Sequence, residues 1–435
     1  MEVRARIKWE VGASAAVTFA ALLASYSAFR PVRDALILDR NPDQIPWVYL
    51  GTFAAMSAVS PAWSRALVRR SPRRLVAVVF HVFAACLVGF FLIMRAQVAP
   101  AAIGRVFYVW SAVFNLFVIS VFWSLLADLL GPGLARQLYG PIAAGGTVGA
   151  IVGPLLTGRL VGTIAPSGVL MMSALLLELA VLGVLWMRRT ARGLSPEPEA
   201  SPARSDARSN APADALGGGA FTGIARVARS PYLSAIVGYV LCTSWAATFL
   251  YLAQARLVFD SHLDATARTQ YFASIDFWTQ TITLVLQTVV VSAAIRRLGP
   301  GIVLGVLPIA RVVGLSVLAA WPSLTVLWIV QVIGNAATHG LTRPARELLF
   351  TVVSRDDKYR AKNAIDTIGY RFGDLSASWV HTGLAAIGGG ALALAPVPLA
   401  ATWLGLAAIL GLGFRRRAAG RRAERRAEMH TREPT

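Results

Sequence analysis

Residues 195–219, SPEPEASPARSDARSNAPADALGGG, divide the chain into two parts of similar pattern. Proline, glycine, serine and charged residues fill this stretch, and that composition is typical of a disordered linker. On both sides, long apolar segments separated by short arginine-bearing loops occupy almost all of the sequence. Six apolar segments precede the linker and six follow it, so the linker marks the boundary between two halves.

The apolar segments are long enough to cross a membrane. Of the 435 residues, 56% are hydrophobic and 15% are charged, and the mean hydropathy is +0.59. A soluble domain carries about a quarter charged residues, and a spanning helix needs about 20 mainly apolar residues. The sequence therefore predicts an all-α integral membrane protein with about twelve transmembrane helices in two six-helix halves. The predicted spans are 11–30, 46–67, 75–95, 104–130, 139–163, 168–187, 231–254, 268–295, 301–320, 323–350, 363–387 and 391–414.

Clusters of basic residues fall on one side of this twelve-span arrangement. They are Arg4, Arg6 and Lys8; Arg69, Arg70, Arg73 and Arg74; Arg188, Arg189 and Arg192; Arg296 and Arg297; Lys358, Arg360 and Lys362; and Arg415, Arg416 and Arg417. Short loops rich in lysine and arginine stay in the cytoplasm. We therefore expect a multi-pass protein of the bacterial inner membrane with both termini cytoplasmic. The expected domains are a bundle at 1–189, a cytoplasmic linker at 190–229, a second bundle at 230–414 and a basic tail at 415–435.

The net charge of +20 does not indicate nucleic-acid binding, because the arginines lie at helix ends and the sequence offers no soluble domain with a groove. The basic helix ends instead fit the anionic lipid of the inner leaflet. Cys86 and Cys242 lie within apolar spans, where packing is their expected role. We find no nucleophile with a base, no metal-ligand spacing and no redox motif, so we predict neither an enzyme nor a bound cofactor or metal.

Two six-span halves joined by a long loop resemble the major facilitator superfamily, in which a central site is exposed alternately to each side of the membrane. The loop at 64–74, SRALVRRSPRR, is similar to a degraded form of that superfamily's loop signature and lacks its glycine and aspartate. The resemblance implies a secondary active transporter. Its partners would be the lipid bilayer and a small-molecule substrate, and the oligomeric state stays open.

Three further stretches resemble the ATP/ADP translocases of plastids and intracellular bacteria, in the same order and spacing. They are FRPVRDALI at 29–37; FWSLLAD at 122–128, followed by ARQLYGP at 135–141; and KYRAKNAID at 358–366. The resemblance implies a substrate that bears phosphate, and it places transport residues at Arg33 and Asp128. The sequence departs from the family at four positions: Arg33 replaces lysine, Asp128 and Tyr251 replace glutamate, and Asp374 replaces lysine. These departures indicate a divergent bacterial relative and leave open a substrate other than ATP or ADP.

Arginines near the end of the first span are the first candidates for substrate binding. Arg30 and Arg33 lie one helical turn apart and so share a face, and a guanidinium suits phosphate or carboxylate. They either hold an anionic substrate or anchor the end of the span. Asp34 is expected to neutralise one of them.

Charged residues also flank the loop between the tenth and eleventh spans. Arg343, Arg346, Lys362 and Arg371 are candidates for substrate binding, and Glu347, Asp366 and Asp374 are candidates for coupling or gating. A simpler interpretation pairs Glu347 with Arg343 at four residues' spacing and leaves the others to cap a helix.

Three charged residues fall well inside apolar spans, namely Glu178, Asp276 and Arg311. Because a charge there costs about 2.5–3.5 kcal/mol, each should face a cavity or a partner. Glu178 or Asp276 would carry a coupling proton, or one of them would pair with Arg311. This leaves open a proton-coupled carrier of another small molecule, and a membrane sensor or scaffold without transport is the third alternative.

Glycines at Gly145, Gly149 and Gly153 recur every four residues on the fifth span, which allows a neighbouring helix to approach closely. With Pro154, Thr157 and Gly158, this stretch also resembles the fifth-span motif of major facilitator antiporters, with Thr157 in place of a glycine. The stretch favours exchange of substrates over one-way transport.

Overall fold

The computed structural model describes residues 2–38, 42–69, 72–97, 100–130, 132–191, 227, 229–354, 362, 365, 369–388 and 395–430. Most of the predicted linker lies outside these residues, as do Asp366 and most of the stretch at 358–366. The described chain is helical almost throughout, and thirteen α-helices are labelled in it here in chain order. They are α1 Glu2–Ile37, α2 Ile45–Arg69, α3 Pro72–Arg95, α4 Pro100–Leu129, α5 Pro132–Ala191, α6 Pro231–Asp260, α7 Ala265–Val285, α8 Val291–Leu298, α9 Pro300–Ala320, α10 Leu324–Ala337, α11 Arg343–Leu349, α12 Tyr370–Ile387 and α13 Pro396–His430.

Each of the twelve predicted spans overlaps one or two of these helices, and residues 363–364, 366–368 and 391–394 of the last two spans lie outside the described residues. The helix α5 carries two spans, and two other spans each consist of a pair of helices joined by a π-helical turn. The turn Leu286–Val290 joins α7 to α8, and the turn Thr338–Thr342 joins α10 to α11. Within the described residues, nine helices are long and apolar enough to cross a membrane.

One of these nine helical stretches, Gln137–Ala191, has 55 residues. At 1.5 Å per residue it would be about 80 Å long, whereas the hydrocarbon core of a bilayer is about 30 Å thick. The backbone leaves the helical region at Ala165, where φ is 59° and ψ is 165°. The stretch therefore contains two spans that meet at Ala165, between the predicted segments 139–163 and 168–187.

The two parts of α5 both pack against α1 and run along it in opposite directions. In chain order along α5, the contacts are Gly145 on Ala16, Gly153 on Ala24, Ser173 on Ser25 and Gly183 on Thr18. The position along α1 first rises and then falls, so the chain reverses at Ala165. The first part of α5 is parallel to α1 and the second part is antiparallel to it.

Contacts divide the chain into two compact units. Unit 1 comprises Met1–Gly217 and Val258–Thr281, and unit 2 comprises Gly218–Leu257 and Ile282–Thr435. The division at 190–229 that we expect from the sequence stays a prediction.

An aromatic cluster fills the core of unit 1 where α1, α3 and α4 meet. Phe29 of α1 is fully buried and packs edge-on against Phe114 and at an angle against Phe107 and Trp110. Phe83 of α3 contacts Trp110 and Phe114 as well. Large rings bury much apolar surface, so this cluster fixes the turn of α1 on which Arg30 lies.

In unit 2, α6 packs against α9 and α13 through the fully buried Tyr239. Its hydroxyl donates to the carbonyl oxygen of Leu304 over 2.8 Å, and its ring contacts Trp403. The two π-helical turns also belong to this unit. Gln287 Nε2 of one turn donates to the carbonyl oxygen of His339 in the other over 3.1 Å. A side chain therefore satisfies a backbone group at an irregular turn.

Candidate functional site

An ion pair between α1 and α7 is central to the candidate site. Arg30 Nη2 lies 3.2 Å from Asp276 Oδ1, and the two side chains are 30% and 8% exposed. Asp276 is therefore almost fully buried within a predicted span. A charge in that position needs a partner, and Arg30 supplies it.

A second ion pair lies one turn further along α1. Arg33 donates to Asp34 Oδ1 through Nη2 over 2.7 Å and through Nε over 3.0 Å. The guanidinium of Arg33 also lies over the ring of Tyr108, 4.8 Å from its centroid, which adds a cation–π attraction. We call Arg30, Arg33, Asp34 and Asp276 the α1 charge cluster.

The α1 charge cluster contains two cations and two anions, so it is neutral as a group. Both arginines carry planar forks of donors that match an oxyanion in two-point geometry. Arg30 is partly exposed, and Asp276 Oδ2 is buried without a hydrogen-bond partner among the described residues. Arg30 can therefore present donors to an oxyanion on its exposed side, whereas Asp276 depends on Arg30 as its ion-pair partner.

The backbone of α1 beside the cluster is held by α5. Pro31 lies inside α1 and cannot donate a backbone hydrogen bond to the preceding turn. Thr157 Oγ1 donates to the carbonyl oxygen of Ala28 over 2.7 Å. This hydroxyl is the group that stands where the antiporter motif has glycine, and it fixes the turn that leads into Arg30.

A second charged group joins α11 to the residues before and within α12. Glu347 Oε2 lies 2.5 Å from Lys362 Nζ, and its Oε1 lies 3.7 Å from Arg346. Arg346 is buried, donates to the hydroxyl of Tyr370 over 2.5 Å and lies over the Tyr370 ring. The simpler interpretation, which pairs Glu347 with Arg343, is therefore wrong for the described residues, because Glu347 lies within ion-pair distance of Lys362 and Arg346.

The other charged candidates on α12 pair within their own helix. Arg371 Nη1 lies 3.6 Å from Asp374 Oδ2 at three residues' spacing. Gly373, between them, brings α12 close to α6, because an added Cβ would lie 2.6 Å from Ser244 Cβ. Trp245 of α6 donates to Ser376 Oγ over 3.0 Å, which fixes α12 against α6.

Both carboxylates that the sequence offers as partners of Arg311 are paired within unit 1. Asp276 pairs with Arg30, and Glu178 Oε1 lies 2.9 Å from His81 Nδ1 of α3. The side chains of His81 and Glu178 are 57% and 41% exposed. Arg311 donates instead to Asn335 Oδ1 over 2.8 Å. Asp128, placed by resemblance, is exposed near the end of α4.

Sequence reasoning missed two buried amides, Gln254 of α6 and Gln331 of α10. Gln331 Nε2 donates to Gln254 Oε1 over 2.5 Å. The signal was present, since an amide inside an apolar span needs a partner across the helices. Among the described residues, no group of three or more histidine, cysteine or acidic side chains is arranged to hold a metal ion.

Comparison with known proteins places the chain by structure. No family model and no curated protein matches the sequence. Among solved structures, a bacterial homologue of the iron transporter ferroportin in an inward-facing state matches with a TM-score of 0.61 and 13% identity, over 95% of this chain and 98% of that one. The fold is of the major facilitator type. This confirms the predicted all-α integral membrane protein with about twelve transmembrane helices.

Two other major facilitator structures match equally well. The nucleoside transporter NupG has a TM-score of 0.61 and 16% identity, and it matches over 94% of this chain and 98% of that one. A bacterial homologue of the human lysosomal transporter Spinster has a TM-score of 0.60 and 14% identity, with 94% of this chain and 97% of that one covered. All three are transporters by name. At such low identity the likeness extends to the major facilitator fold alone.

Proposed function

We propose that the chain is a secondary active transporter that works by alternating access and exchanges an anionic, phosphate-bearing metabolite. The observation that carries the proposal is the α1 charge cluster, two partly buried guanidinium groups one turn apart in a major facilitator fold. Phosphate groups are well matched to arginine forks. The resemblance of residues 29–37, 122–128 and 358–366 to the ATP/ADP translocases supports a nucleotide as the first substrate to test.

Exchange follows from the pairing of Arg30 with Asp276. In the predicted halves 1–189 and 230–414, these two residues come from different halves of the chain. An empty carrier would keep the pair closed, because separation would leave a buried carboxylate without its partner. A substrate phosphate would keep the Arg30 guanidinium paired when it leaves Asp276, so that only the carboxylate loses its partner and the cost of opening falls. Movement would therefore require a bound anion in each direction, which is the condition for exchange.

Other features support the mechanism and the cellular setting. Bacterial homologues of ferroportin have been solved in both inward-facing and outward-facing states. The pair of Glu347 with Lys362 joins α11 to the segment before α12 and is suited to gating, because a partly exposed cation and anion separate at moderate cost. The basic loops and tail favour the bacterial inner membrane, with both termini cytoplasmic.

The test is counter-exchange in proteoliposomes loaded with unlabelled nucleotide and offered labelled ATP, ADP or other phosphorylated metabolites. We expect exchange by the wild type and about a 10- to 100-fold loss for Arg33→Ala, since one hydrogen bond to a charged group contributes about 1.5–3 kcal/mol. Arg33→Lys should retain part of the activity because it keeps the charge without the fork.

The matched control is Arg297→Ala, which removes an exposed arginine from α8 and should leave exchange unchanged. Equal loss in Arg33→Ala and Arg297→Ala would mean that general charge, rather than the α1 charge cluster, matters. A folded wild type that takes up none of the phosphorylated compounds would refute the substrate class.

A proton-coupled transporter of another small molecule is the second candidate. The observation in its favour is Asp276 Oδ2, which is buried without a hydrogen-bond partner among the described residues and could accept a proton when Arg30 leaves. If protons drive transport, Asp276→Asn should abolish accumulation driven by a pH gradient but retain exchange at equal pH on both sides. Glu178→Gln, at the exposed pair with His81, should retain both activities. Uptake by the wild type that ignores the pH gradient would exclude this candidate.

A further inference from the structure

Arg311 is a buried cation in the middle of a membrane-spanning helix. It is the twelfth of 21 residues in α9 and is 3% exposed. A helix rises 1.5 Å per residue, so Arg311 lies about 16 Å from the start of α9, close to the bilayer centre for a helix of this length. Such a residue is a candidate for function by default.

A directional chain of amides leads away from Arg311 across three helices of unit 2. Arg311 Nη2 donates to Asn335 Oδ1 over 2.8 Å, and Asn335 Nδ2 approaches Gln331 Oε1 at 3.4 Å. Gln331 Nε2 then donates to Gln254 Oε1 over 2.5 Å. Every bond points away from the guanidinium, so the amide dipoles align with its charge. These neutral groups spread the charge of Arg311 without cancelling it.

No carboxylate neutralises Arg311 among the described residues. Two acidic side chains that the structure describes in unit 2 pair elsewhere, Glu347 with Lys362 and Asp374 with Arg371. Arg311 Nη1 is buried and has no hydrogen-bond partner within the part of the chain that the structure describes. A buried cation with one satisfied arm and one unsatisfied arm is costly. An anion bound at Nη1 would both neutralise the charge of Arg311 and accept the missing hydrogen bond.

Gly334 creates the space in which the guanidinium lies. A Cβ at this position would lie 2.6 Å from Arg311 Cζ, 2.7 Å from Nη1 and 2.8 Å from Nε. The flat guanidinium therefore rests directly on the backbone of α10, and any larger residue would displace it. The absence of a side chain at Gly334 thus makes room for the guanidinium. Within this space Nη2 donates to Asn335, and Nη1 is the donor that is left for a second partner.

We propose that Arg311, held by Asn335, forms an anion-binding subsite in unit 2. The subsite binds an oxyanion of the transported substrate, which is either a phosphate or a carboxylate. A planar fork of N–H donors is the group that proteins use for such oxyanions. That the ligand is the substrate rests on the proposed transport function, whereas anion binding at Arg311 does not.

The experiment follows thermal unfolding of the purified full-length chain in detergent with increasing sodium phosphate, sodium succinate or sodium chloride at equal ionic strength. We expect phosphate or succinate to raise Tm of the wild type beyond the effect of chloride, and the responding anion distinguishes phosphate from carboxylate. In Arg311→Met the apparent affinity for that anion should fall at least tenfold. Without the anion, this variant should be no less stable than the wild type, because an unneutralised buried charge is gone.

Two other variants keep the test independent of that substitution. Arg311→Lys retains a charge without the fork, and Gly334→Ala retains Arg311 but displaces its guanidinium. Both should weaken the response to the anion, whereas Arg297→Ala should not. Arg311→Lys carries the test if Arg311→Met does not fold.

The proposal is overturned if the variants respond to the anion like the wild type, or if neither oxyanion acts beyond chloride. Its failure can be told from that of the transport function. Binding that depends on Arg311 without any uptake would refute transport alone. Anion uptake that Arg311→Met leaves intact would refute this subsite alone.

Discussion

Replacement of Arg30 by alanine is expected to lower the free energy of unfolding by about 3 kcal/mol and to abolish transport. The loss has two parts, the removal of the ion pair and the burial of Asp276 without a partner. Removing one member of a buried pair costs about 3–5 kcal/mol, and the partial exposure of Arg30 puts this pair at the lower end of that range. Denaturation of the purified protein measures the change.

The double variant Arg30→Ala/Asp276→Ala separates the two parts. It should be more stable than Arg30→Ala, because the stranded carboxylate is gone, yet it should still not exchange substrate. The single and double variants together form a double-mutant cycle for the pair. If Arg30→Ala alone were as stable as the wild type, the ion pair would not hold α1 and α7 together.

Replacement of Gly149 by alanine is expected to lower the free energy of unfolding by about 3 kcal/mol or more. A Cβ there would overlap the carbonyl oxygen of Ala20, and the obstacle is backbone that no side-chain rotation can move. The helices α1 and α5 would have to separate, and overpacking of this kind costs about 1–3 kcal/mol, occasionally more. The yield of folded protein and its Tm measure the effect.

The same helix supplies the matched control. Gly140 lies on α5 with nothing within 4 Å of an added Cβ, so Gly140→Ala should be neutral or stabilise by up to about 1 kcal/mol through helix propensity. A similar loss in both variants would trace the effect to helix backbone rather than to the contact with Ala20. A neutral Gly149→Ala would contradict the close approach of α1 and α5.

The twelve spans could be predicted from the sequence because apolar length is a local property. Counting predicted two separate spans at 139–163 and 168–187, and the backbone leaves the helical region at Ala165, between them. The ion-pair partners of charged residues, by contrast, cannot be predicted from local sequence. Nothing local to Asp276 shows that Arg30 rather than Arg311 lies beside it, because packing of distant segments decides the pairing.

The error at Glu347 has a related cause. Spacing of four residues made Arg343 the nearest candidate on the same helix, but pairs of this kind contribute only a few tenths of a kcal/mol. Lys362, from the segment before α12, instead lies 2.5 Å from Glu347 Oε2. The buried amides Gln254 and Gln331 were visible as polar residues in apolar spans, yet their mutual contact depends on how α6 and α10 pack.

The π-helical turn Thr338–Thr342 lies between Asn335, which holds Arg311, and Arg346, which holds Tyr370. A residue in an α-helix corresponds to about 100° of rotation, and a π turn accommodates one residue more than an α turn. The turn thus rotates the side chains of α11 about the helix axis relative to those of α10. Loss of a single residue there would restore a regular helix and rotate α11 by more than a quarter of a circle, so this short turn sets the alignment of the two polar groups that share the span.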